Sequence, residues 1–283
     1  NLSFEKHKHT PFGNFQMEYF FYLWFMTNDN PIGLFDSGVG GTSIWKAIHE
    51  LLPYEDTIYL ADSKNAPYGL KSKDEIISLS KKNTEFLLEK NAKIIVVACN
   101  TATTNAIKEL RASYSVPFIG IEPAIKPAAI HSKTQKIGIL ATKGTLSSEL
   151  FNKAVEIYQD TIIIEQVGYG LVELIEDGKL NSPEMTQLLH SYLEPMVKED
   201  IDYLVLGCSH YPYLIPQLKK ILPSNIKIID SGEAVARQTL NVLNAKSGLH
   251  KEGKSKNIFY SNGNPKVLEA ILNHQYKVAF KDF

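Results

Sequence analysis

From residue 31 onward, the chain alternates short apolar runs with longer segments in which apolar residues recur every three or four positions. Short β-branched runs are typical of strands buried on both faces, and the longer spacing is typical of amphipathic helices. The pattern predicts strands at 32–35, 57–61, 93–98, 117–121, 136–141, 161–167, 203–206 and 226–229. It predicts helices at 42–52, 74–90, 101–114, 147–158, 171–177, 184–199 and 214–221. This alternation indicates an α/β fold with mostly parallel sheets flanked by helices.

Two segments of the chain resemble each other. Residues 94–101 (IIVVACNT) and 203–210 (YLVLGCSH) each contain an apolar strand, a small residue, a cysteine and two polar residues. Chance similarity between two buried strands is one explanation, and two related α/β lobes that each present one cysteine are the other. We predict a first lobe at 31–122, completed by 232–283, and a second lobe at 123–231, with the active site between the lobes.

The first thirty residues differ from the rest, because they are rich in histidine, lysine and aromatic residues. We interpret residues 1–30 as an N-terminal extension, a tag-like segment or an accessory arm. Met26 would be a natural start.

The composition excludes several classes of protein. Of the 283 residues, 44% are hydrophobic, and the net charge is -1, which lacks the basic excess of a nucleic-acid-binding protein. The apolar stretch at 19–26 is shorter than the ~20 residues that a membrane helix needs, and it lacks the features of a secretory signal. We therefore expect no nucleic-acid partner, no membrane association and a cytoplasmic, reduced protein. Only two cysteines occur, without a disulfide framework, and we find no ligand spacing for a metal.

Both cysteines lie where a predicted strand ends and a helix follows. Ligands of open parallel sheets bind beyond the carboxyl ends of the strands, so Cys99 and Cys208 are predicted at a functional edge. A helix N-terminus stabilises negative charge, and we expect it to lower a thiol pKa from ~8.5 toward neutrality. His210 follows Cys208 by two residues and could exchange protons with it. A single cysteine of this kind is more often a small core residue, so the prediction of a functional site depends on the presence of two such cysteines.

A pair of thiols suits the inversion of a stereocentre. Inversion removes a proton from one face of a carbon and delivers a proton to the other face, which a single group does not easily reach. One thiolate and one thiol on opposite sides of a planar carbanion could do this, and they would exchange roles in the reverse reaction. Donors would have to stabilise the charge that moves into the substrate carboxylate.

The neighbouring motifs could supply those donors. The glycine-rich turn DSGVGG at 36–41 opens a helix and could bind an anion through backbone N–H groups, or it is simply a tight turn. Asp36 could pair with a substrate ammonium, orient a thiol or cap the helix. Asn100 and Thr101 could donate to a carboxylate or act as ordinary caps. Residues 67–69 (PYG) could form a loop over the site or a surface turn.

These segments together resemble a known family. DSGVGG (36–41), PYG (67–69), ACNTAT (98–103) and GCSHYP (207–212) are similar to the signature segments of the aspartate/glutamate racemase family, in particular its bacterial glutamate racemases. NGNP at 262–265 resembles a late loop of that family. The resemblance extends from about residue 32 to the C-terminal segment.

The resemblance implies a two-lobed fold that needs no cofactor and makes D-glutamate for peptidoglycan, most often as a homodimer. Cys99 matches the thiol that acts on the D-isomer, and Cys208 matches the thiol that acts on the L-isomer. Asp36 and His210 match the flanking acid–base residues. The positions that match substrate contacts are Asp36, Ser37, Tyr68, Gly69, Asn100, Thr101, Thr142, Thr145, Glu176, Ser209 and His210.

The chain departs from the family pattern at two positions, since Ser209 stands where threonine is usual and Glu173 stands where proline is common.

Three other functions would fit parts of the sequence. An aspartate racemase would share the motifs that hold an α-amino carboxylate. A cysteine hydrolase could use Cys208 and His210 but would leave Cys99 unexplained. A non-catalytic binding protein would not require paired thiols.

Overall fold

The computed structural model describes residues 29–246, 248–250 and 252–283. Met26 and nearly all of the predicted N-terminal extension lie outside these residues. The described chain forms two sheets in which every strand pairing is parallel. The first sheet contains β1 (Ile32–Asp36), β2 (Thr57–Ala61), β3 (Ile94–Val97), β4 (Phe118–Gly120), β9 (Asn257–Ser261) and β10 (Val278–Phe280), in the order β10-β9-β2-β1-β3-β4. The second contains β5 (Lys136–Ala141), β6 (Ile162–Val167), β7 (Tyr203–Gly207) and β8 (Lys227–Ile229), in the order β6-β5-β7-β8.

Helices connect and cover the strands. They are α1 (Thr42–Leu51), α2 (Lys73–Glu89), α3 (Asn100–Ser113), α4 (Ile125–His131), α5 (Lys143–Leu146), α6 (Glu149–Glu156), α7 (Leu171–Glu176), α8 (Pro183–Lys198), α9 (Ile215–Ile221), α10 (Gly232–Lys246) and α11 (Pro265–Ile271). Short 3₁₀ helices lie at Ser63–Asn65, Tyr68–Leu70 and Tyr211–Leu214. The predicted α/β fold with two parallel sheets is confirmed.

The strand predictions are accurate, and the strands β1, β2, β3 and β7 are buried along their whole length. Each predicted strand is present, with bounds that differ by at most one residue. All four residues of β3 are buried, as a β-branched run predicts for a strand covered on both faces.

The predicted helix at 147–158 is present as α6, which is two residues shorter at each end, and the short helix α5 before it is not predicted. Ser148 caps the N-terminus of α6, since its hydroxyl accepts a hydrogen bond of 3.3 Å from the N–H of Phe151.

The C-terminal part of the chain returns to the first sheet. β9 pairs with β2, starting with Asn257 beside Thr57, and β10 pairs with β9. The sequence pattern does not predict α4, α10, α11, β9 or β10. The chain passes between the sheets after β4 and again after β8, where the hydroxyl of Ser231 donates to the carbonyl of Glu122. The lobe boundaries at 122 and 232 stay predictions.

The parallel strands place four polar segments at facing sheet edges. Asp36 ends β1 and Cys99 follows β3 in the first sheet, while Thr142 follows β5 and Cys208 follows β7 in the second. Hydrogen bonds between the sheets join these segments, which are described next. Among the described residues, no helix has the length and apolar character that crossing a membrane requires.

Candidate active site

Cys99 lies at the N-terminus of α3. It is the N-cap residue, and its sulfur accepts a hydrogen bond of 3.4 Å from the N–H of Ala102. The thiol also donates to the hydroxyl of Ser37 across 3.6 Å, which connects α3 to the end of β1. Cys99 is 3% exposed and is not part of a disulfide.

Burial raises the pKa of the Cys99 thiol well above its ordinary value, and the nearby charge of Asp36 raises it further. The hydrogen bonds from Ala102 and Ser37 oppose this shift but are smaller effects. The expectation that the helix N-terminus would lower this pKa is therefore wrong, because burial destabilises the thiolate by more than the helix N-terminus stabilises it.

Cys208 lies at the end of β7 beside His210. The Cys208 sulfur is 3.8 Å from Nδ1 of His210, and Nε2 of His210 is 2.6 Å from Oε1 of Glu176. Burial lowers the pKa of His210, but Cys208, Glu176 and Asp36 together outweigh burial and hold that pKa well above its ordinary value. The three side chains thus form a line in which a protonated imidazole is stabilised between a sulfur and a carboxylate.

Asp36 connects the two halves of the site. Its Oδ1 accepts a hydrogen bond of 3.1 Å from Ser209, and its Oδ2 accepts one of 2.7 Å from the N–H of Gly41. Oδ2 also lies 3.9 Å from Nδ1 of His210, and the carboxyl interacts with the Cys99 thiol. Burial raises the pKa of this carboxyl, although the positive charge of His210 opposes the shift.

The glycine-rich turn at 36–41 brings the lobes together. Its N–H groups at Val39 and Gly41 donate to Glu176 and Asp36, so the protein's own carboxylates take the place of the expected bound anion. A Cβ on Gly38 would collide with the carboxylate of Glu176, and one on Gly40 would lie 2.6 Å from the backbone nitrogen of His210. These glycines therefore permit close approach of the second lobe.

Three threonine hydroxyls bridge the lobes on the side of Cys99. Thr101 and Thr142 are 2.8 Å apart, Thr142 and Thr145 are 3.0 Å apart, and Thr101 and Thr145 are 3.3 Å apart. Gly69 packs against this group, since a Cβ there would lie 2.8 Å from Cβ of Thr142. Thr142 and Thr145 of the second lobe thus contact the first lobe directly.

Asn100 has a buried side-chain amide whose hydrogen-bonding groups are unsatisfied. It is 2% exposed, yet neither its amide nitrogen nor its amide oxygen has a hydrogen-bond partner. A buried amide without partners is costly, so a bound molecule that offers both an acceptor and a donor would satisfy it.

Tyr68 is buried, and its hydroxyl is hydrogen-bonded within the protein. It bonds to Asp62, and Asn83 donates to it across 3.2 Å. Burial raises the pKa of this phenol well above its ordinary value, and Asp62 adds to the shift. The side chain therefore fixes the loop at 67–70.

Glu176, another predicted substrate contact, is held by the protein instead. Its Oε1 accepts from His210 and from the N–H of Val39, and its Oε2 accepts from Ser63 across 2.7 Å. The structure thus favours an action of Glu176 through His210.

Sequence reasoning did not single out Ser63 and Asp62. The available signal was their position directly after β2, at the same edge as Asp36 and Cys99. Among the described residues, no three His, Cys, Asp or Glu side chains form a group that could hold a metal ion.

Comparison with known proteins identifies the family. Residues 32–239 match the Asp/Glu/hydantoin racemase family. The chain is 44% identical to a glutamate racemase of Herpetosiphon aurantiacus over 239 residues, which is 84% of this chain and 94% of the relative. It also superposes on a glutamate racemase of Bacillus anthracis with a TM-score of 0.81 and 33% identity, covering 90% of this chain and 98% of the other. A glutamate racemase of Escherichia coli, solved with L-glutamate and the activator UDP-MurNAc-ala, gives a TM-score of 0.80 and 32% identity over 89% of this chain and 98% of the other.

Two parallel α/β lobes with a thiol at the edge of each, together with these matches, define the class: the chain belongs to the Asp/Glu/hydantoin racemase family. Within that family it is an enzyme of the glutamate racemase group, because relatives of that name cover nearly its whole described length.

Proposed function

We propose that this protein interconverts L-glutamate and D-glutamate by proton transfer at the α-carbon between Cys208 and Cys99. The observation that carries the proposal is the placement of the two free thiols. They lie at the facing edges of two different sheets, and Asp36 joins them, through its interaction with Cys99 and through the hydrogen bond from Ser209 beside Cys208. Thiols on opposite lobes would approach a carbon in the cleft from opposite faces.

In the direction from L- to D-glutamate, the thiolate of Cys208 removes the α-proton and becomes a thiol. The electron pair of the broken C–H bond moves into the carboxylate of the planar intermediate. The thiol of Cys99 then donates its proton to the other face and becomes a thiolate. The reverse reaction exchanges the two roles. This sequence needs no group beyond the chain and the substrate.

The substrate would be held by groups around Cys99. The unpartnered amide of Asn100 offers both a donor and an acceptor. The hydroxyl of Thr101 lies at the same helix end, and the hydroxyls of Thr142 and Thr145 face it from the second lobe. Such donors stabilise the charge that develops on the carboxylate during proton removal. Asp36 and Ser209 lie between the thiols, where a carboxylate suits the substrate ammonium.

An exchange experiment tests the proposal and its substrate. The protein is incubated in deuterium oxide with L-glutamate or L-aspartate, without added cofactor, and the α-deuterium content and the D-isomer are measured. We expect deuterium and D-isomer from glutamate, as the names of the relatives suggest. Exchange into aspartate alone would contradict the assignment.

We also propose that the product supplies peptidoglycan synthesis. Expression of the chain in a bacterium that requires external D-glutamate should restore growth without it, and a Cys99→Ser variant expressed to the same level should not. Growth that still needs D-glutamate, with an active enzyme present, would contradict this role.

The homodimer and the cytoplasmic location stay predictions. Sedimentation measurements would test whether the protein is a homodimer.

A further inference from the structure

The segment that contains Cys208 leaves the second sheet and turns sharply. The last paired residue of β7 is Gly207, which lies beside Ala141 of β5, and a 3₁₀ helix follows at Tyr211–Leu214. Cys208 therefore lies beyond the strand ladder. Its orientation depends on how the backbone of residues 208–210 is held.

The local turn satisfies two of the three carbonyl groups in residues 208–210. The N–H groups of Tyr211 and Tyr213 donate to the carbonyls three positions earlier, across 3.1 and 3.2 Å. In the same pattern, the carbonyl of Ser209 would accept from Pro212, which has no N–H. Because Ser209 is 2% exposed, its carbonyl needs a donor from elsewhere in the protein.

The first turn of α1 supplies that donor from the first lobe. The hydroxyl of Ser43 donates to the carbonyl of Ser209 across 2.9 Å. Two side chains of the same helical turn also meet the segment. The hydroxyl of Thr42 lies 2.6 Å from that of Tyr213, and Nζ of Lys46 lies 4.9 Å from the centre of the Tyr213 ring. The start of α1 thus holds the backbone that follows Cys208.

Cys99 is held in a different way. It is the N-cap residue of α3, and its sulfur accepts from the N–H of Ala102 in the same helix. Its backbone also accepts within this helix, from the N–H of Thr103 across 2.9 Å. Ser43 therefore bears on only one of the two thiols.

We propose that Ser43 is a positioning residue for Cys208. Its hydroxyl fixes the peptide group that follows Ser209, and through this backbone it fixes the direction from which the Cys208 sulfur approaches the substrate α-carbon. This inference rests on the proposed racemase function. In Ser43→Ala the carbonyl of Ser209 loses its donor, so proton transfer at Cys208 becomes slower while transfer at Cys99 keeps its geometry.

The two proton transfers can be followed separately with α-deuterated glutamate. From L-glutamate the label passes to Cys208, and from D-glutamate it passes to Cys99, so each labelled isomer reports how far its own transfer limits the rate. In Ser43→Ala, kcat/KM should fall by about tenfold, because a small misplacement of a reacting group is costly. The loss should be the same for both isomers, since they have equal free energies in water. The isotope effect on kcat/KM should rise for L-glutamate and fall for D-glutamate, which increases the ratio of the two isotope effects by about twofold.

Two further variants distinguish positioning of Cys208 from a general loosening of the lobes. Ser43→Thr keeps the hydroxyl and should keep the isotope-effect ratio of the unaltered protein. Asn105→Ala is the matched control, because Asn105 also joins the lobes through a hydrogen bond of 2.9 Å to a carbonyl, that of Gly144. Asn105 lies on α3, the helix that Cys99 caps, so its removal should not raise the ratio.

An unchanged isotope-effect ratio in Ser43→Ala would overturn the inference, even with a lower rate. A rise of the same size in Asn105→Ala would overturn it too, as would a Ser43→Thr variant that behaves like Ser43→Ala. The ratio does not depend on the amount of folded enzyme, so a partly folded variant still gives a valid answer. An unaltered protein that forms no D-glutamate would instead contradict the proposed function itself.

Discussion

At the scale of single residues, the thiol of Cys99 shows how burial can outweigh a helix end. A thiol with a raised pKa is protonated at neutral pH, whereas removal of the α-proton of D-glutamate requires the thiolate. The protein thus holds Cys99 in the form suited to proton donation, which is its role in the direction from L- to D-glutamate.

This protonation state predicts a pH dependence. With D-glutamate as substrate, kcat/KM should rise as the pH increases from neutral toward alkaline values, by about tenfold per pH unit below the Cys99 pKa. Loss of the proton of His210, whose pKa is also held above its ordinary value, should oppose this rise. Initial rates across the pH range would measure this profile. A profile that falls steadily from neutral pH upward would contradict it.

Replacement of either thiol should separate the two half-reactions. Cys99→Ala and Cys208→Ala should each reduce racemisation by about 10³-fold or more, because each removes a group that no neighbour replaces. Cys99→Ala should still exchange the α-proton of L-glutamate, and Cys208→Ala that of D-glutamate. Deuterium incorporation into each isomer is the measurement, with thermal unfolding as the control for folding. Full racemisation by Cys99→Ala would favour a reaction on Cys208 alone.

Much of the site could be predicted from the sequence at this scale. Cys99, Cys208 and Asp36 follow or end apolar strands, and the carboxyl ends of parallel strands gather at one edge. The protonation of Cys99 and the occupation of Glu176 could not be predicted. Both depend on burial and on partners that lie far away along the chain, such as Ser63 for Glu176.

At the scale of elements, the turn at 36–41 fits two lobes against each other. Its glycines pack against Glu176, His210 and Asp36, which explains a pattern that resembles an anion-binding loop. Prediction from sequence fails here because the N–H groups find their acceptors within the protein.

Substitution in this turn should affect both stability and activity. In Gly40→Ala, the new Cβ would lie 2.6 Å from the backbone nitrogen of His210, so the second lobe must shift. We expect a loss of about 1–3 kcal/mol in unfolding free energy and a large loss of kcat. Denaturant unfolding and a racemisation assay would measure both. Gly232→Ala is the control, because its nearest neighbour is the carboxylate of Asp230 at 3.1 Å and the next atom is at 3.6 Å. Equal stability of the two variants would contradict the argument.

The elements themselves were predicted unevenly. Strand bounds were accurate because each predicted strand is a continuous run of mainly apolar residues, and in β3 that run is buried on both faces. The predicted helix at 147–158 began two residues too early because Ser148 serves as the N-cap, and a serine within a helical pattern does not reveal this role. The strand β9 escaped detection because polar residues at both of its ends leave only three apolar positions, and β10 because it has three residues, of which two are exposed.

At the scale of the whole molecule, a buried ion pair ties the first sheet together far from the thiols. Lys93 and Glu55 are 2.6 Å apart, with side chains that are 0% and 1% exposed, and the N–H of His250 donates to Glu55 across 2.9 Å. Lys93 precedes β3, whereas Cys99 follows it, so the pair lies at the amino ends of the strands.

Removal of one partner should therefore destabilise the protein without altering its chemistry. Lys93→Met leaves the carboxylate of Glu55 buried beside an apolar side chain, and we expect a loss of about 3–5 kcal/mol in unfolding free energy. The double variant Lys93→Met, Glu55→Gln should lose less, since no charge stays buried. Denaturant unfolding measures both, and kcat per folded molecule should be unchanged. A double variant less stable than Lys93→Met would contradict this account.

The order of strands in the first sheet has a consequence for biosynthesis. β9 and β10 occupy one side of that sheet, next to β2, but the ribosome makes them after the whole of the second sheet. The nascent chain must therefore keep the β2 edge open while more than a hundred later residues emerge. A stalled or prematurely terminated chain would expose that edge, and we expect it to be a substrate for chaperones or to aggregate.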